Sequence, residues 1–476
     1  MFWSAERVAE AQVICTSERR SKSIGDSTEL KGNLLNIFSH IWQSREDSEG
    51  DAVAVSEEET FEASVSGSQS VDGLHRFLAR QPIFDLKSGI FAYELLFRTG
   101  WENCFRGESD AATRMMVDNW LLFGFGDLTQ GAHTFLNCTR ESLVEGLVTL
   151  LPKSTVLELL ETIEPDEEIL SACRTFKAQG YQIALDDFQH SDRMEGLVEL
   201  ADYIKIDFRL SDRDERRNLR RLLAGSNARL VAEKVETAAE LKIAIDEGFE
   251  LFQGYFFCRP TVFSKRTVPT NGVNYLRLLA ELCQSPLEVR KITELVKSEA
   301  SICFRLLRMV NSVGFGVGQE VRSIQSALVL VGDDQFRKLA MVAIVSESCK
   351  GHPEELLIYA LQRARFLELL ALYSGQDATE QYLFGLFSLM GTMLNAPMET
   401  VIDLLPLRAE VKSALLGKPN EVGTSLRLLE SYVEGEWRIC AEQAALLGIS
   451  EGELTHAYIQ SLEWAQQAVS ITRAVN

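Results

Sequence analysis

Residues 181–188 read YQIALDDF and residues 203–208 read YIKIDF. Both are short runs of β-branched and aromatic residues, and both carry charged side chains toward their C-terminal ends. Such runs read as strands. The same reading extends outward to RFLARQPIF (76–84), IFAYELLFR (90–98), HTFLNCT (133–139), TVLELLE (155–161), RLVAEKV (229–235) and FELFQGYFF (249–257). Helical stretches lie between several of them, over residues 166–179, 212–224 and 237–247. About eight strands, mostly followed by helices, predict a closed α/β barrel whose site lies at the C-terminal ends of its strands.

Beyond Arg259-Pro260 the strand signal stops, and from about Asn274 to Val475 the chain reads as successive amphipathic helices. Breaks fall at Gly314, Gly332, Pro353, Pro397 and Pro406. Upstream of the barrel, the segment from Leu34 to Trp42 has helical apolar spacing. Residues 44–72 are rich in Glu, Asp, Ser and Gly and read as a disordered acidic linker. The expected organisation is therefore a disordered or partly helical extension over 1–72, a barrel over 73–262 and a helical domain over 263–476.

The 476 residues fit two or three domains. Their formal net charge of −21 is spread along the chain, which argues against a general nucleic-acid surface, because backbone binding needs clustered Lys and Arg. One small anionic ligand held by a metal and a few cations is not excluded. The nine cysteines form no CxxC pair and sit mostly in apolar runs, as reduced thiols do. The sequence has neither a signal-peptide core nor an apolar run of about 18 residues. A cytoplasmic protein with no membrane span is expected.

The barrel strands offer Glu94, Asn137, Glu158, Glu161, Asp186, Asp187, Lys205, Asp207, Glu233, Glu236 and Gln253. So many acids at one mouth would repel one another unless cations neutralise them. An oxygen-only donor set with one amide and no His or Cys suits Mg²⁺ or Mn²⁺. Such an ion, or a pair of them, could activate water and hold a phosphodiester.

These segments resemble the EAL domain of cyclic di-GMP phosphodiesterases, a modified TIM barrel, over roughly residues 76–260. The naming tripeptide stands here as Glu94-Leu95-Leu96. The resemblance implies that Glu94, Asn137, Glu158, Asp186 and Asp187 hold metal and that Arg98 contacts the dinucleotide phosphate. Lys205 and Gln253 would orient the attacking water, and Glu233 would be a further ligand or base. Glu161 and Glu236 would support the set. Two departures stand out. Where active members read DDFGTG, this chain reads DDFQHSD (186–192), so a position suited to positive φ is expected to carry Gln or His. Lys234 also replaces a small residue beside the expected metal site.

The stretch ICFRLLRMVNSVGFGVGQEVRSIQSALVLVG (302–332) resembles the HDOD domain, an output module related to HD-type metal hydrolases. Ser388-Leu389 stands where the metal-binding His-Asp dipeptide of a hydrolytic relative would lie. His352 and His456, the two histidines of this half, lack metal-site spacing, so no cofactor is expected there. Asn311, Ser312 and Gly314 at a helix end fit either a groove or simple capping.

The order EAL then HDOD implies a bacterial signalling protein, for which three readings stand. The first favoured by the sequence is an adaptor whose barrel binds cyclic di-GMP, with weak hydrolysis at most, and whose HDOD domain relays to an unknown protein partner. The alternative is an active phosphodiesterase producing linear pGpG. The third is a ligand-free scaffold, which fits poorly with so complete a ligand set. A homodimer is one assembly compatible with all of them.

Overall fold

The structure is a computed structural model and describes residues 77–98, 129–258, 270–284, 286–312 and 321–475. The 1–72 extension, Gly314, and the side chains of Arg98 and Ser312 lie outside the described residues. The eight strands expected are present: β1 (Phe77–Asp85), β2 (Ile90–Arg98), β3 (His133–Cys138), β4 (Thr155–Leu159), β5 (Gln182–Leu185), β6 (Tyr203–Asp207), β7 (Arg229–Glu233) and β8 (Leu251–Gln253). They close in sequence order into a barrel. From β2 through β8 every pairing is parallel, whereas β1 runs antiparallel to both neighbours.

The sequence around Asp85 accounts for that reversal. The connection from β1 to β2 is only Leu86–Gly89, far too short for a parallel crossover. Asp85 closes it locally, because its Oδ1 accepts from the backbone N–H of Lys87 and Gly89, each at 2.8 Å. Ser88 takes a left-handed φ of 60° at the turn. The outer helices start at side-chain caps. Asp166 caps Glu167–Ala178, while Asp212 with Glu215 and Thr237 with Glu240 form capping boxes at Arg213–Leu222 and Ala238–Asp246.

One buried side chain from each strand fills the barrel axis: Ile83, Ala92, Phe135, Val156, Ala184, Tyr203, Val231 and Leu251. The Phe135 and Tyr203 rings meet at 5.0 Å between centroids. Because side chains alternate along a strand, the residues two positions further toward the mouth point into the same interior. That next ring is polar, and it is the site.

The described chain falls into two compact units. One holds residues 286–343, in which the helices Val289–Ser298, Ala300–Ser312 and Ile324–Val331 pack on one another. There Asn311 bridges to Val321, donating to its carbonyl at 2.9 Å and accepting from its N–H at 2.8 Å. The other unit holds the barrel together with residues 344–473. Its helical part docks on β1 and β2 by buried polar contacts. Arg80 Nη2 donates to Glu355 Oε1 at 2.9 Å, Tyr93 Oη donates to Glu355 Oε2 at 2.9 Å, and Tyr432 Oη donates to the Leu78 carbonyl at 3.0 Å.

Gly385 lets the helices Glu354–Ser374 and Ala378–Phe387 touch: a Cβ there would stand 2.6 Å from the Arg363 carbonyl oxygen. Gly385→Ala is therefore expected to cost about 1–3 kcal/mol by overpacking. A thermal-unfolding midpoint equal to that of the parent would contradict this packing. Among the described residues no helix is long and apolar enough to cross a membrane. Cys138, Cys173, Cys258, Cys283, Cys303, Cys349 and Cys440 are free thiols.

Candidate active site at the barrel mouth

Counting two residues from the apolar ring gives Glu94, Asn137, Glu158, Asp186, Lys205, Glu233 and Gln253 from β2 through β8, with Asp186 just past the end of β5. On the antiparallel β1 the count runs backward and gives Gln81, which pairs with Glu94 in register. Seven of the eight are residues expected from the sequence. Gln81 was missed because the strand's direction is not visible in RFLARQPIF. Period-two counting with β1 reversed would have found it.

Lys205 sits at the centre, 1% exposed. Its Nζ lies 2.7 Å from Glu233 Oε1, 3.0 Å from Glu94 Oε2 and 3.2 Å from Asp186 Oδ1, and it also pairs with Glu158 Oε1. Burial alone would lower its pKa, but Glu158 and then Glu233, Glu94 and Asp186 outweigh burial and hold the ammonium protonated well above its usual range. The acids respond in the opposite sense. Burial, reinforced by the charge of Glu94, pushes Glu158 well above the usual carboxylate range against the pull of Lys205. Glu233 is pushed up to about 8, chiefly by burial.

Four carboxyl groups around one lysine leave a surplus of acidic groups in a closed space. Carboxylate oxygens of Glu94, Glu158 and Glu233 lie within 4.8 Å of one another, and those of Glu161, Asp186 and Asp187 form a second such group. Asn137 donates to Glu94 Oε1 at 3.2 Å, which leaves its Oδ1 buried without a hydrogen-bond partner. Glu158 Oε2 and Gln253 Oε1 are buried acceptors in the same condition. Orphaned acceptors beside clustered carboxylates, with no His or Cys, are a donor set that fits a hard divalent cation.

A cleft of about 290 Å³ opens above this ring, lined among others by Asp187, Arg209, Lys234, Glu236, Glu434 and Glu436. Lys234 reaches Asp187 at 3.6 Å and pairs closely with Asp207. Burial opposes its charge, yet the bond to Asp207 and the charge of Asp187 keep its pKa raised. The left-handed positions fall on Asp187 (φ 39°) and Lys234 (φ 54°), not on Gln189 or His190 as the altered loop suggested. Aspartate tolerates that conformation, so the turn needs no glycine at the following positions. Phe188 is anchored through its N–H on the Lys205 carbonyl at 3.0 Å. Glu236 is ion-paired with Arg209, and Glu161 is solvent-exposed. Gly254 follows Gln253 at φ 140°, where a Cβ would lie 2.1 Å from the Val235 carbonyl oxygen, so only glycine fits.

The raised carboxyl of Glu233 has a consequence for stability. Between its unfolded value near 4.5 and its folded value of about 8 it binds more protons folded than unfolded, so stability falls as pH rises through that window. Metal-free protein in chelator is expected to unfold at progressively lower temperature from pH 5.5 to 8. A midpoint that is level or rises over that range would contradict the burial of this group.

The sequence pattern of the EAL domain matches residues 138–260 and that of the HDOD domain matches residues 268–411. The uncharacterized protein YuxH of Bacillus subtilis is 35% identical over 400 residues, covering 82% of this chain and 97% of that protein. The cyclic di-GMP phosphodiesterase CdgJ of Vibrio cholerae is 32% identical over 398 residues, covering 82% of this chain and 92% of that protein. The chain belongs to the EAL–HDOD family. Among solved structures, the PaMucR phosphodiesterase in its c-di-GMP complex is similar at 22% identity, with 39% of this chain and 97% of that chain covered and a TM-score of 0.33.

The EAL match begins just after Asn137, so the barrel geometry, not that match, brings Gln81, Glu94 and Asn137 to the site. In the HDOD-matched region Ser388 donates to the Gly385 carbonyl at 2.6 Å and accepts from Arg363 at 3.2 Å. His352 lies within 3.3 Å of the Asn395 amide, and His456 is exposed.

Proposed function

We propose that the barrel of this EAL–HDOD protein binds cyclic di-GMP and opens it to the linear dinucleotide pGpG with the help of a divalent cation. One observation carries the reading: all eight strands contribute to one polar ring, which holds three buried acceptors with no hydrogen-bond partner. Burying that many polar groups unsatisfied is costly, so a ring of this kind is best explained by what it is built to hold. The relationship to a protein named as a cyclic di-GMP phosphodiesterase supports the choice of substrate. Relative to the adaptor reading, the closed ring moves the weight toward catalysis.

In this reading Glu94, Asn137, Glu158, Asp186 and Asp187 would hold Mg²⁺ or Mn²⁺. The ion would supply positive charge for the phosphodiester oxygens and for an attacking water. Lys205 keeps the carboxylates gathered and, once a divalent cation takes up their charge, is free to orient that water. Gln253 Oε1 accepts a hydrogen bond from that water, Glu233 takes the water's proton as base or serves as a further ligand, and Arg98 receives a phosphate. Water oxygen bonds to phosphorus, the ring P–O bond breaks, and the leaving sugar oxygen takes a proton to become a hydroxyl. Glu161 and Glu236 support the rim. The helical region 263–476 relays occupancy of the barrel to a protein partner, with the chain acting alone or as a homodimer in the cytoplasm.

Binding without turnover is the second reading, and Lys234 favours it. Its ammonium already lies on Asp187 and Asp207, where it competes with an ion for those carboxylates. The two readings separate when purified protein is incubated with cyclic di-GMP and Mn²⁺, following linear product and heat of binding beside Glu94→Ala and Asp186→Ala. Product that disappears in both variants supports hydrolysis. Saturable heat without product leaves only binding, and neither signal sinks both.

A further inference from the structure

We propose that Gln81 is a positioning residue of this site, fixing the orientation of Gln253 from the turn that ends the helix Thr424–Glu434. The inference rests on the phosphodiesterase reading and names a residue that reading does not use. A backbone carbonyl can only accept a hydrogen bond. The Val433 carbonyl takes one from Gln81 Nε2 at 2.9 Å, which forces Gln81 Oε1 to face the barrel. That oxygen accepts from Gln253 Nε2 at 2.8 Å, and the same Nε2 donates to Glu94 Oε2 at 2.7 Å. Glu94 as a carboxylate is also an acceptor only. The Gln253 amide is therefore held from two sides with its nitrogen inward, and its remaining acceptor, Oε1, is the buried atom without a hydrogen-bond partner. Two hydrogen bonds thus link a carbonyl of the helical region to the oxygen that would accept a hydrogen bond from the attacking water.

The anchor at the far end is rigid. The Val433 carbonyl lies in the last turn of its helix, where carbonyls lack an intrahelical partner. Gly435 closes that turn at φ 74°, and Glu436 N–H donates to the Ser431 carbonyl at 2.8 Å. The neighbouring Tyr432 Oη accepts from Leu78 N–H at 3.3 Å and donates to the Leu78 carbonyl at 3.0 Å, three residues before Gln81 on β1. Glu434 and Glu436 then line the same cleft as Gln81 and Gln253. The position of this turn is thus tied to that of Gln253 through the Gln81 side chain.

A double-mutant cycle tests the assignment, using the full chain with cyclic di-GMP and Mn²⁺. Gln81→Leu is expected to lower kcat by up to about 100-fold, the loss a misplaced but present group can cause. KM and the Mn²⁺ affinity measured by calorimetry should be unchanged, which a general structural lesion would not leave intact. Gln253→Ala should cost more, and adding Gln81→Leu to it should cost nothing further. A parental kcat in Gln81→Leu, or a full additional loss in the double variant, overturns the proposal. If the leucine variant unfolds, Gln81→Glu is isosteric, keeps the acceptor toward Gln253 and sets an oxygen against the Val433 carbonyl. It should show the same loss in kcat, and a parental kcat overturns the proposal there too. If the parent shows no hydrolysis, the phosphodiesterase reading fails and the positioning is read from the Gln253 side-chain amide signal in ¹⁵N-glutamine-labelled protein. That signal must shift and lose its exchange protection in Gln81→Leu; an unchanged signal overturns the proposal.

Discussion

Glu158→Gln is expected to abolish Mn²⁺ binding and product formation while leaving the metal-free protein at least as stable as its parent. Glu158 is fully buried on β4, pairs with Lys205 through one oxygen and keeps the other without a hydrogen-bond partner. Glutamine preserves the shape and removes the charge, so the barrel keeps its packing. What is lost is the anionic oxygen best placed for a cation. Removing even one preorganised hydrogen-bond donor costs on the order of 10²–10³ in kcat, and losing a metal ligand takes product below detection. Metal affinity should fall by at least about 100-fold, because even outer partners of a metal site are worth about 10–100-fold. Burial pushes the Glu158 carboxyl upward, so the ionised form is a strain on the metal-free fold that glutamine relieves. Manganese titration, product chromatography and thermal unfolding in chelator check the three parts. A variant that keeps its metal affinity would contradict the assignment of the ring.

Glu355→Ala should produce the largest loss of stability. Glu355 and Arg80 are 6% and 5% exposed, and their pair joins the helical region to β1. Arg80 also lies over the Tyr93 ring, 4.2 Å from its centroid, and Tyr93 donates to the second Glu355 oxygen. Burial would lower the Arg80 pKa, but Glu355 outweighs it and the guanidinium stays charged. Removing Glu355 takes a buried counter-ion from Arg80, and breaking such a buried pair costs about 3–5 kcal/mol. For a unit of this size the melting point should fall by roughly 10 °C. Arg80→Met combined with Glu355→Leu removes both charges and should recover most of the loss, since the pair's own desolvation disappears with it. A fall below about 1 kcal/mol in Glu355→Ala would mean that the helical region does not depend on this contact.

Much of the barrel was legible because its elements are local. YQIALDDF, YIKIDF and RLVAEKV declare themselves as strands by composition, and each brings its polar residue to the mouth through the alternation of a pleated chain. The direction of β1 was less visible, since it follows from the four-residue turn at Leu86–Gly89 and not from anything inside RFLARQPIF. Gln81 was hidden with it. Contacts between residues far apart in sequence were not legible at all. Nothing in the spacing of Arg80 and Glu355, or of Gln81 and Val433, marks them as neighbours. The DDFQHSD loop was misjudged for a local reason: the left-handed turn falls on Asp187, a residue type that accepts it, so the missing glycines leave Asp186 and Asp187 in place. The EAL and HDOD resemblances, by contrast, rest on multi-residue motifs and agree with the matched families.

In the proposed function, the polar ring at the barrel mouth directs a water molecule to a phosphodiester of cyclic di-GMP. Turnover of purified full-length protein in H₂¹⁸O with Mn²⁺, followed by mass spectrometry of the product, tests it most directly. Linear pGpG carrying one ¹⁸O on its terminal phosphate is expected, formed only with the metal and absent in Glu158→Gln. Cyclic di-GMP recovered intact under those conditions, or product formed equally well by Glu158→Gln, would contradict it.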